Sequence, residues 1–146
     1  EKFKALFSLR TLLETHAAET ALPYFNDVKV TELEALDNAV DDAYASGDVA
    51  AGSLANQAFH RFIYAQDPNQ VVLPMIESVW LQLGPFVRIG LSRLERYYDY
   101  DRHQEAIEAI RQQDGFALRR AIESDIRDGL SMIRDVDQLY ENLKQQ

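Results

Sequence analysis

The sequence predicts an all-α fold, an antiparallel bundle of about six helices. Apolar residues recur at three- and four-residue steps along nearly the whole chain, which is the period of an amphipathic helix. No stretch shows the sustained apolar and polar alternation that is typical of a strand between turns. The breaks between helical stretches are short, and short connections favour antiparallel neighbours.

Breaking and capping residues set the predicted boundaries of the first three helices. The first runs from about Phe3 to Leu22 and ends at Pro23, whose ring cannot continue a helix. The second starts at Thr31, where Thr31 and Glu34 form a capping-box pattern, and ends near residue 47. Asp48 is the predicted cap of the third helix, which extends to about residue 66.

The second half of the chain predicts three further helices. A turn at residues 67–69 precedes the fourth, with Asn69 as its cap, and this helix covers about residues 70–95. A break or kink is expected within it at Gly84-Pro85. The fifth covers about residues 99–113, and Asp114 caps a sixth that extends to about residue 143.

Composition limits the classes of function. A chain of 146 residues fits one domain and needs no metal or disulfide to fold, so a metal site in it would serve function. The absence of cysteine excludes disulfides, thiol nucleophiles and thiolate metal sites, and it fits a cytoplasmic location. No apolar run is long enough for a membrane span, and no signal-peptide pattern opens the chain.

Charge and the first residue indicate a part of a larger protein. The net charge of −9 repels phosphate, so we expect this segment not to bind nucleic acid itself. The chain begins with Glu rather than Met, and we expect an N-terminal neighbour that is not shown.

Four polar residues interrupt predicted apolar helix faces. Asn56 and His60 lie one turn apart on the third helix, His103 lies on the fifth and Asp125 on the sixth. Their neighbours on these faces are apolar or glycine: Val49, Gly52, Phe59, Ile63, Ala106, Ile107, Ile110, Leu118, Ala121, Ile122, Met132, Ile133, Val136 and Leu139. Two imidazoles, one carboxylate and one amide that point inward would suit zinc, nickel, manganese or iron.

The first helix contributes a buried charge. Arg10 lies at the centre of its apolar face with Glu14 beside it. That face otherwise consists of Phe3, Leu6, Phe7, Leu13, Ala17 and Ala21. The third histidine, His16, lies off this face and is predicted to be an ordinary surface residue, and Trp80 is predicted to belong to the core or a pocket wall.

A metal-free interpretation stays open at this point. His60 and His103 can pair with Asp125 in a buried hydrogen-bond network, and Arg10 can simply pair with Glu14.

These residues also carry a family resemblance, which extends from about residue 5 to residue 130. The segments concerned are Arg10-Thr-Leu-Leu-Glu14 with Ala17-Ala18, Asn56-Gln-Ala-Phe59-His60 with Tyr64-Ala65 and Asn69, Trp80-Leu-Gln-Leu-Gly-Pro85, and Arg102-His103-Gln-Glu-Ala-Ile107-Glu-Ala-Ile110 with Asp114. In their order and spacing they resemble the FCD effector-binding domain of FadR-like GntR-type transcription regulators.

The resemblance implies a metal site at the same four positions. In that family an Asp and a His four residues apart, together with two later His residues, bind a divalent metal. Asn56, His60, His103 and Asp125 match these positions, and the last two are 22 residues apart (125 − 103) as in the family. The chain departs from the pattern at two positions, with Asn56 where Asp is usual and Asp125 where the last His is usual.

The predicted function of residues 1–146 is effector binding and dimerisation in a cytoplasmic regulator, not catalysis. The resemblance implies a homodimer with a winged helix-turn-helix DNA-binding domain before residue 1. The metal and Arg10 would attract a small organic acid, and Asn56 could orient it. Two alternatives stay open: a metal-free dimerisation domain, and a metalloenzyme that uses His60, His103 and Asp125 as a two-His-one-carboxylate set. A di-iron bundle enzyme is disfavoured because no Glu-x-x-His motif occurs.

Overall fold

The computed structural model describes the backbone of residues 2–91 and 101–144 and the side chains of residues 2–84 and 101–129. These parts form six α-helices and one short 3₁₀ turn. The helices are α1 (Lys2–Ala21), α2 (Asp27–Ala45), α3 (Val49–Tyr64), α4 (Leu73–Leu91), α5 (Arg102–Arg111) and α6 (Gly115–Lys144), and the 3₁₀ turn is Leu22–Tyr24. The all-α prediction is confirmed.

The start of α2 differs from the prediction. Asn26 is the N-cap, and its side chain accepts a hydrogen bond from the Lys29 backbone N–H at 2.9 Å. Thr31 instead lies inside the helix, where its hydroxyl donates to the Asp27 carbonyl at 3.0 Å. The predicted capping box at Thr31 and Glu34 is therefore wrong. Asn is among the residue types that cap helix N-termini best, and Asn26 is the first such residue after Pro23, so α2 begins there.

The predicted cap of α4 is also wrong. The Asn69 backbone N–H donates to Asp67 Oδ1 at 2.8 Å, which makes Asn69 part of the turn. The first N–H group of α4, that of Leu73, donates to Gln70 Oε1 at 2.8 Å. The side chain that satisfies the helix end is thus one residue later in the chain than predicted.

Helix α4 continues through Gly84-Pro85, so the expected break is wrong, although a kink there stays a prediction. A proline inside a helix costs about 3 kcal/mol. Burial of Val79, Trp80 and Leu83 in the turns before it offsets a cost of this size, because each large buried side chain contributes about 1.5–3 kcal/mol.

The caps of the remaining helices follow the prediction more closely. Asp48 accepts from the Ala51 N–H at 3.0 Å, and Asp114 accepts from the Ala117 N–H at 2.9 Å. Helix α5 is shorter than predicted, since it covers only Arg102–Arg111. Its N-cap is Asp101, whose Oδ1 accepts a hydrogen bond from the Gln104 N–H at 3.0 Å. Residues 92–100 and the side chains of the predicted α6 face beyond residue 129 lie outside the described residues.

Helix α1 lies in the centre of the bundle and packs against α3, α4 and α6. Helices α2 and α3 form one adjacent pair, α5 and α6 form another, and α2 contacts α5. The core contains the predicted apolar faces, including Phe59 and Ile63 of α3 and Ile107 and Ile110 of α5. Within the described residues, no helix is long and apolar enough to cross a membrane.

Candidate metal and effector site

Three of the predicted ligands come together in the core. His60 of α3, His103 of α5 and Asp125 of α6 are 1%, 6% and 8% exposed. One possible ligand atom from each lies within 4.8 Å of the other two. Asp101 caps the start of α5, and His103 follows this cap by two residues. Asp114 caps the start of α6, and Asp125 follows that cap by eleven residues. Three helices therefore converge on one point.

The His60 ring is oriented through Tyr64, one turn further along α3. The Tyr64 hydroxyl donates to Glu14 Oε2 at 2.7 Å. Since that proton is committed to Glu14, the hydroxyl oxygen acts as acceptor toward His60 Nδ1, 3.2 Å away. This chain of bonds requires a proton on Nδ1 of His60. In the neutral ring Nε2 then carries a lone pair.

The His103 ring is oriented from α2. Its Nδ1 lies 2.8 Å from Asp37 Oδ1, and the second oxygen of Asp37 accepts from Gln104 Nε2 at 2.6 Å. Because a carboxylate only accepts, Nδ1 of His103 is the donor. Phe59 stacks on the ring with centroids 3.9 Å apart and planes 10° apart, which fixes the plane of the imidazole.

Both Nε2 atoms face Asp125. His60 Nε2 lies 3.0 Å from Asp125 Oδ2, and His103 Nε2 lies 4.0 Å from Asp125 Oδ1. Both Nε2 atoms and Asp125 Oδ1 are buried and have no hydrogen bond among the described residues, although His60 Nε2 is within ion-pair distance of Asp125 Oδ2. Asn56 Oδ1, one turn before His60, is a fourth buried atom in this condition. Buried polar atoms normally have hydrogen-bond partners, so three such atoms in one cluster are unusual.

The electrostatics of the cluster favour an ionised Asp125. Burial alone would raise the pKa of Asp125, but nearby His60, and then His103 and Arg10, lower the pKa below its usual value. Burial also lowers the pKa of His103, but Asp37 and Asp125 outweigh it and raise that pKa overall. The cluster thus keeps a carboxylate charge in the core beside two imidazoles.

Arg10 and Glu14 form the second part of the site. Glu14 is completely buried, and its Oε1 accepts from Arg10 Nε at 2.5 Å and from Trp80 Nε1 at 2.7 Å. Burial lowers the pKa of Arg10, but the Glu14 carboxylate outweighs it and raises the pKa above its usual value. The Arg10 side chain keeps 13% of its surface exposed.

Three side chains that bind polar groups of the candidate site were not predicted to do so from the sequence. Asp37, Tyr64 and Trp80 all bind polar groups of the site, although Trp80 was expected only as core or pocket wall. A signal for Asp37 was present, because the α2 face of Val30, Leu33 and Val40 also contains residue 37 at helical spacing. His16, in contrast, is exposed as predicted.

The metal-free interpretation describes part of what is observed. Arg10 does pair with Glu14, as that interpretation expected. His103 takes Asp37 rather than Asp125 as its close partner. His60 lies within ion-pair distance of Asp125, as that interpretation also expected, and two further networks, through Tyr64 and through Asp37, extend outward from the cluster.

Comparison with known proteins identifies the family. The sequence profile of the FCD domain matches residues 5–128. The chain belongs to the FCD domain family. Among solved structures, it is similar to E. coli McbR/YncC with a TM-score of 0.77 and 17% identity, over 90% of this chain and 67% of that one. A search of curated protein sequences gives no significant match.

This match confirms the resemblance to the C-terminal domain of GntR-type regulators. At 17% identity the structural likeness concerns the fold alone.

Proposed function

We propose that this FCD domain is the effector-sensing part of a bacterial transcription regulator and binds a divalent metal together with a small carboxylate. The metal would be zinc, nickel, manganese or iron, held by His60, His103 and Asp125, with Asn56 as a further oxygen donor. The regulatory rather than catalytic role follows from the family, whose profile covers most of the chain.

The observation that carries the metal proposal is the convergence of two imidazoles and one carboxylate in the core. Two imidazole nitrogens and one carboxylate oxygen face one another, buried and without hydrogen bonds among the described residues. Lone pairs in this arrangement repel unless a cation or proton lies between them. Each Nδ1 atom is occupied on the outer side, which is how metal-binding histidines are usually held. The donor set therefore fits a divalent ion.

The effector is inferred from charge. A divalent ion with one carboxylate and two neutral imidazoles keeps one positive charge, and Arg10 adds a second. Only Nε of Arg10 has a described hydrogen bond, to Glu14, so the terminal amino groups can take a carboxylate. A metal at this site would supply a Lewis-acid position for the same anion. The chemistry favours a small organic acid.

The remaining features are proposed from the family. We infer a homodimer, a cytoplasmic location and a separate N-terminal winged helix-turn-helix domain that binds DNA. The acidic composition of this domain supports the assignment of DNA binding to another part of the protein. The effector would change the arrangement of that domain only in so far as it binds one arrangement more tightly than another.

The metal is tested by elemental analysis of the tag-free domain, purified without chelator, beside two variants. His103→Ala removes a proposed ligand, and His16→Ala removes an exposed histidine from α1 as the matched control. We expect near-stoichiometric metal in the wild type and in His16→Ala, and loss of it in His103→Ala. If the wild type holds no metal even after metal is added back, the interpretation as a metal-free dimerisation domain is favoured. If the iron-loaded domain consumes oxygen, the interpretation as a metalloenzyme is favoured.

The effector is tested by thermal-shift screening of the metal-loaded domain with small mono-, di- and tricarboxylates. An acid present at 100 times its Kd stabilises by about 2.7 kcal/mol, a rise in Tm of about 5–10 °C. Arg10→Met should abolish the shift, while Arg119→Met, which removes an exposed arginine paired with Glu19, should retain it. An undiminished shift in Arg10→Met would remove Arg10 from the proposal.

A further inference from the structure

Two buried carboxylates outside the metal cluster are the basis of a further inference. We propose that Asp37 and Glu14, the latter through Tyr64, are positioning residues that hold His103 and His60 in the Nδ1–H tautomer. The Nε2 atom of each imidazole is thereby turned toward Asp125 before any ion arrives. The inference deepens the proposed metal site and rests on it for its consequence, although the tautomers themselves exist without metal.

The argument for Asp37 starts from its burial. The side chain is 2% exposed and both oxygens are used, Oδ1 by His103 and Oδ2 by Gln104. If His103 carried its proton on Nε2, its Nδ1 lone pair would face Asp37 Oδ1 at 2.8 Å. Two buried acceptors in contact are costly, because each loses its partner. The Nδ1–H tautomer removes this conflict.

The argument for Glu14 runs through one more bond. Glu14 is fully buried and accepts from three donors, so the Tyr64 hydroxyl cannot turn its proton away without leaving Oε2 unsatisfied. Tyr64 therefore accepts from His60 Nδ1.

The two relays are independent of each other. Asp37 approaches from α2 and binds His103, whereas Glu14 and Tyr64 approach from α1 and α3 and bind His60. Both nevertheless place Nε2 on the side of Asp125. Outer partners of this kind orient the ring and increase its basicity, and their loss typically weakens metal affinity by about 10–100-fold.

The first test reads the tautomers directly in the metal-free wild-type domain. Long-range ¹⁵N–¹H NMR correlation distinguishes protonated from unprotonated ring nitrogens, at a pH where imidazole is neutral, about 8.5. We expect His60 and His103 both to show a protonated Nδ1. The exposed His16 serves as the internal reference for a ring without such partners. An unprotonated Nδ1 in either buried ring would overturn the inference for that ring.

The second test separates the relays by mutation. Asp37→Leu removes the acceptor for His103 and should shift only that ring toward Nε2–H, while Asp37→Asn keeps an acceptor oxygen and should preserve the tautomer. Tyr64→Phe should shift only His60. Asp41→Asn, an exposed carboxylate one turn from Asp37 on α2, is the matched control and should change neither ring. A variant that shifts both rings or neither contradicts the independent relays.

The third test is titration calorimetry with Zn²⁺ alone on the same proteins. Asp37→Leu and Tyr64→Phe should each weaken Zn²⁺ binding about 10–100-fold, with Asp37→Asn in between and Asp41→Asn like the wild type. Equal affinities in all proteins would overturn the positioning role. A wild type that has the expected tautomers but binds no Zn²⁺ would refute the proposed metal site while supporting the tautomer assignment, so the two failures are distinguishable.

Discussion

Replacement of Glu14 by Gln should destabilise the metal-free domain by about 3 kcal/mol. The fully buried carboxylate accepts hydrogen bonds from Arg10, Tyr64 and Trp80. A bond to a charged group contributes about 1.5–3 kcal/mol and one to a neutral group about 0.5–1.5, so each of three bonds loses about 1 kcal/mol when the acceptor becomes neutral. The amide NH₂ group also replaces one acceptor and faces the Tyr64 hydroxyl proton.

The measurement is urea unfolding followed by circular dichroism, with equal m-values as the condition for comparison. A loss of about 3 kcal/mol corresponds to a Tm lower by about 6–12 °C for a domain of this size. The control is Glu19→Gln on the same helix, whose carboxylate pairs with Arg119 at the surface and should matter by less than about 0.5 kcal/mol. A cost of less than about 1 kcal/mol for Glu14→Gln would refute the assignment of three charged hydrogen bonds to this residue.

Three further outcomes follow from the structure. Gly52→Ala should destabilise the domain by about 1–3 kcal/mol in urea unfolding, because a Cβ at this position would overlap the Tyr44 ring. The control is Gly129→Ala, whose added Cβ meets no described atom within 4 Å, so this substitution should be neutral or stabilising. Asn26→Ala should cost about 1 kcal/mol in the same assay through loss of the α2 cap, and an unchanged midpoint would contradict the cap assignment. Addition of a chelator should lower the Tm of the metal-loaded wild type but not that of Asp125→Asn. The rise in Tm that the metal causes should become smaller from pH 7 to about pH 5.5, because protons compete with the metal for the ligands. An equal fall in Tm on addition of chelator in both proteins would exclude Asp125 as a ligand.

Helical periodicity alone identified the polar residues that point into the core. His60, His103 and Asp125 were found because each interrupts an apolar stripe, and each is buried in the structure. The signal works since an inward position on a helix is fixed by spacing, while the cost of burying a polar group makes an exception informative. The family resemblance indicated that these positions meet across different helices, which the spacing of residues within one helix cannot predict.

Partners of those residues were harder to predict from the sequence. Asp37 lies 66 positions from His103 and Glu14 lies 50 from Tyr64, so their contacts depend on how the helices pack. Helix ends were missed for a different reason. At the start of α2 two capping signals compete, and the choice between Asn26 and Thr31 depends on where the chain leaves the turn after α1.

The polar side chains of the site draw on all six helices of the bundle. Helix α1 supplies Glu14, α2 supplies Asp37 and α4 supplies Trp80, while α3, α5 and α6 supply the proposed ligands. Interiors are close-packed, so a change in the distance between two ligands requires movement of the helices that carry them. Because Glu14 binds both Arg10 and, through Tyr64, His60, a carboxylate that draws Arg10 away from Glu14 would also change the hydrogen bonding of a proposed metal ligand. Such a shared acceptor would give the proposed metal and the proposed effector a physical route to influence each other's affinity, and by linkage that influence would be reciprocal.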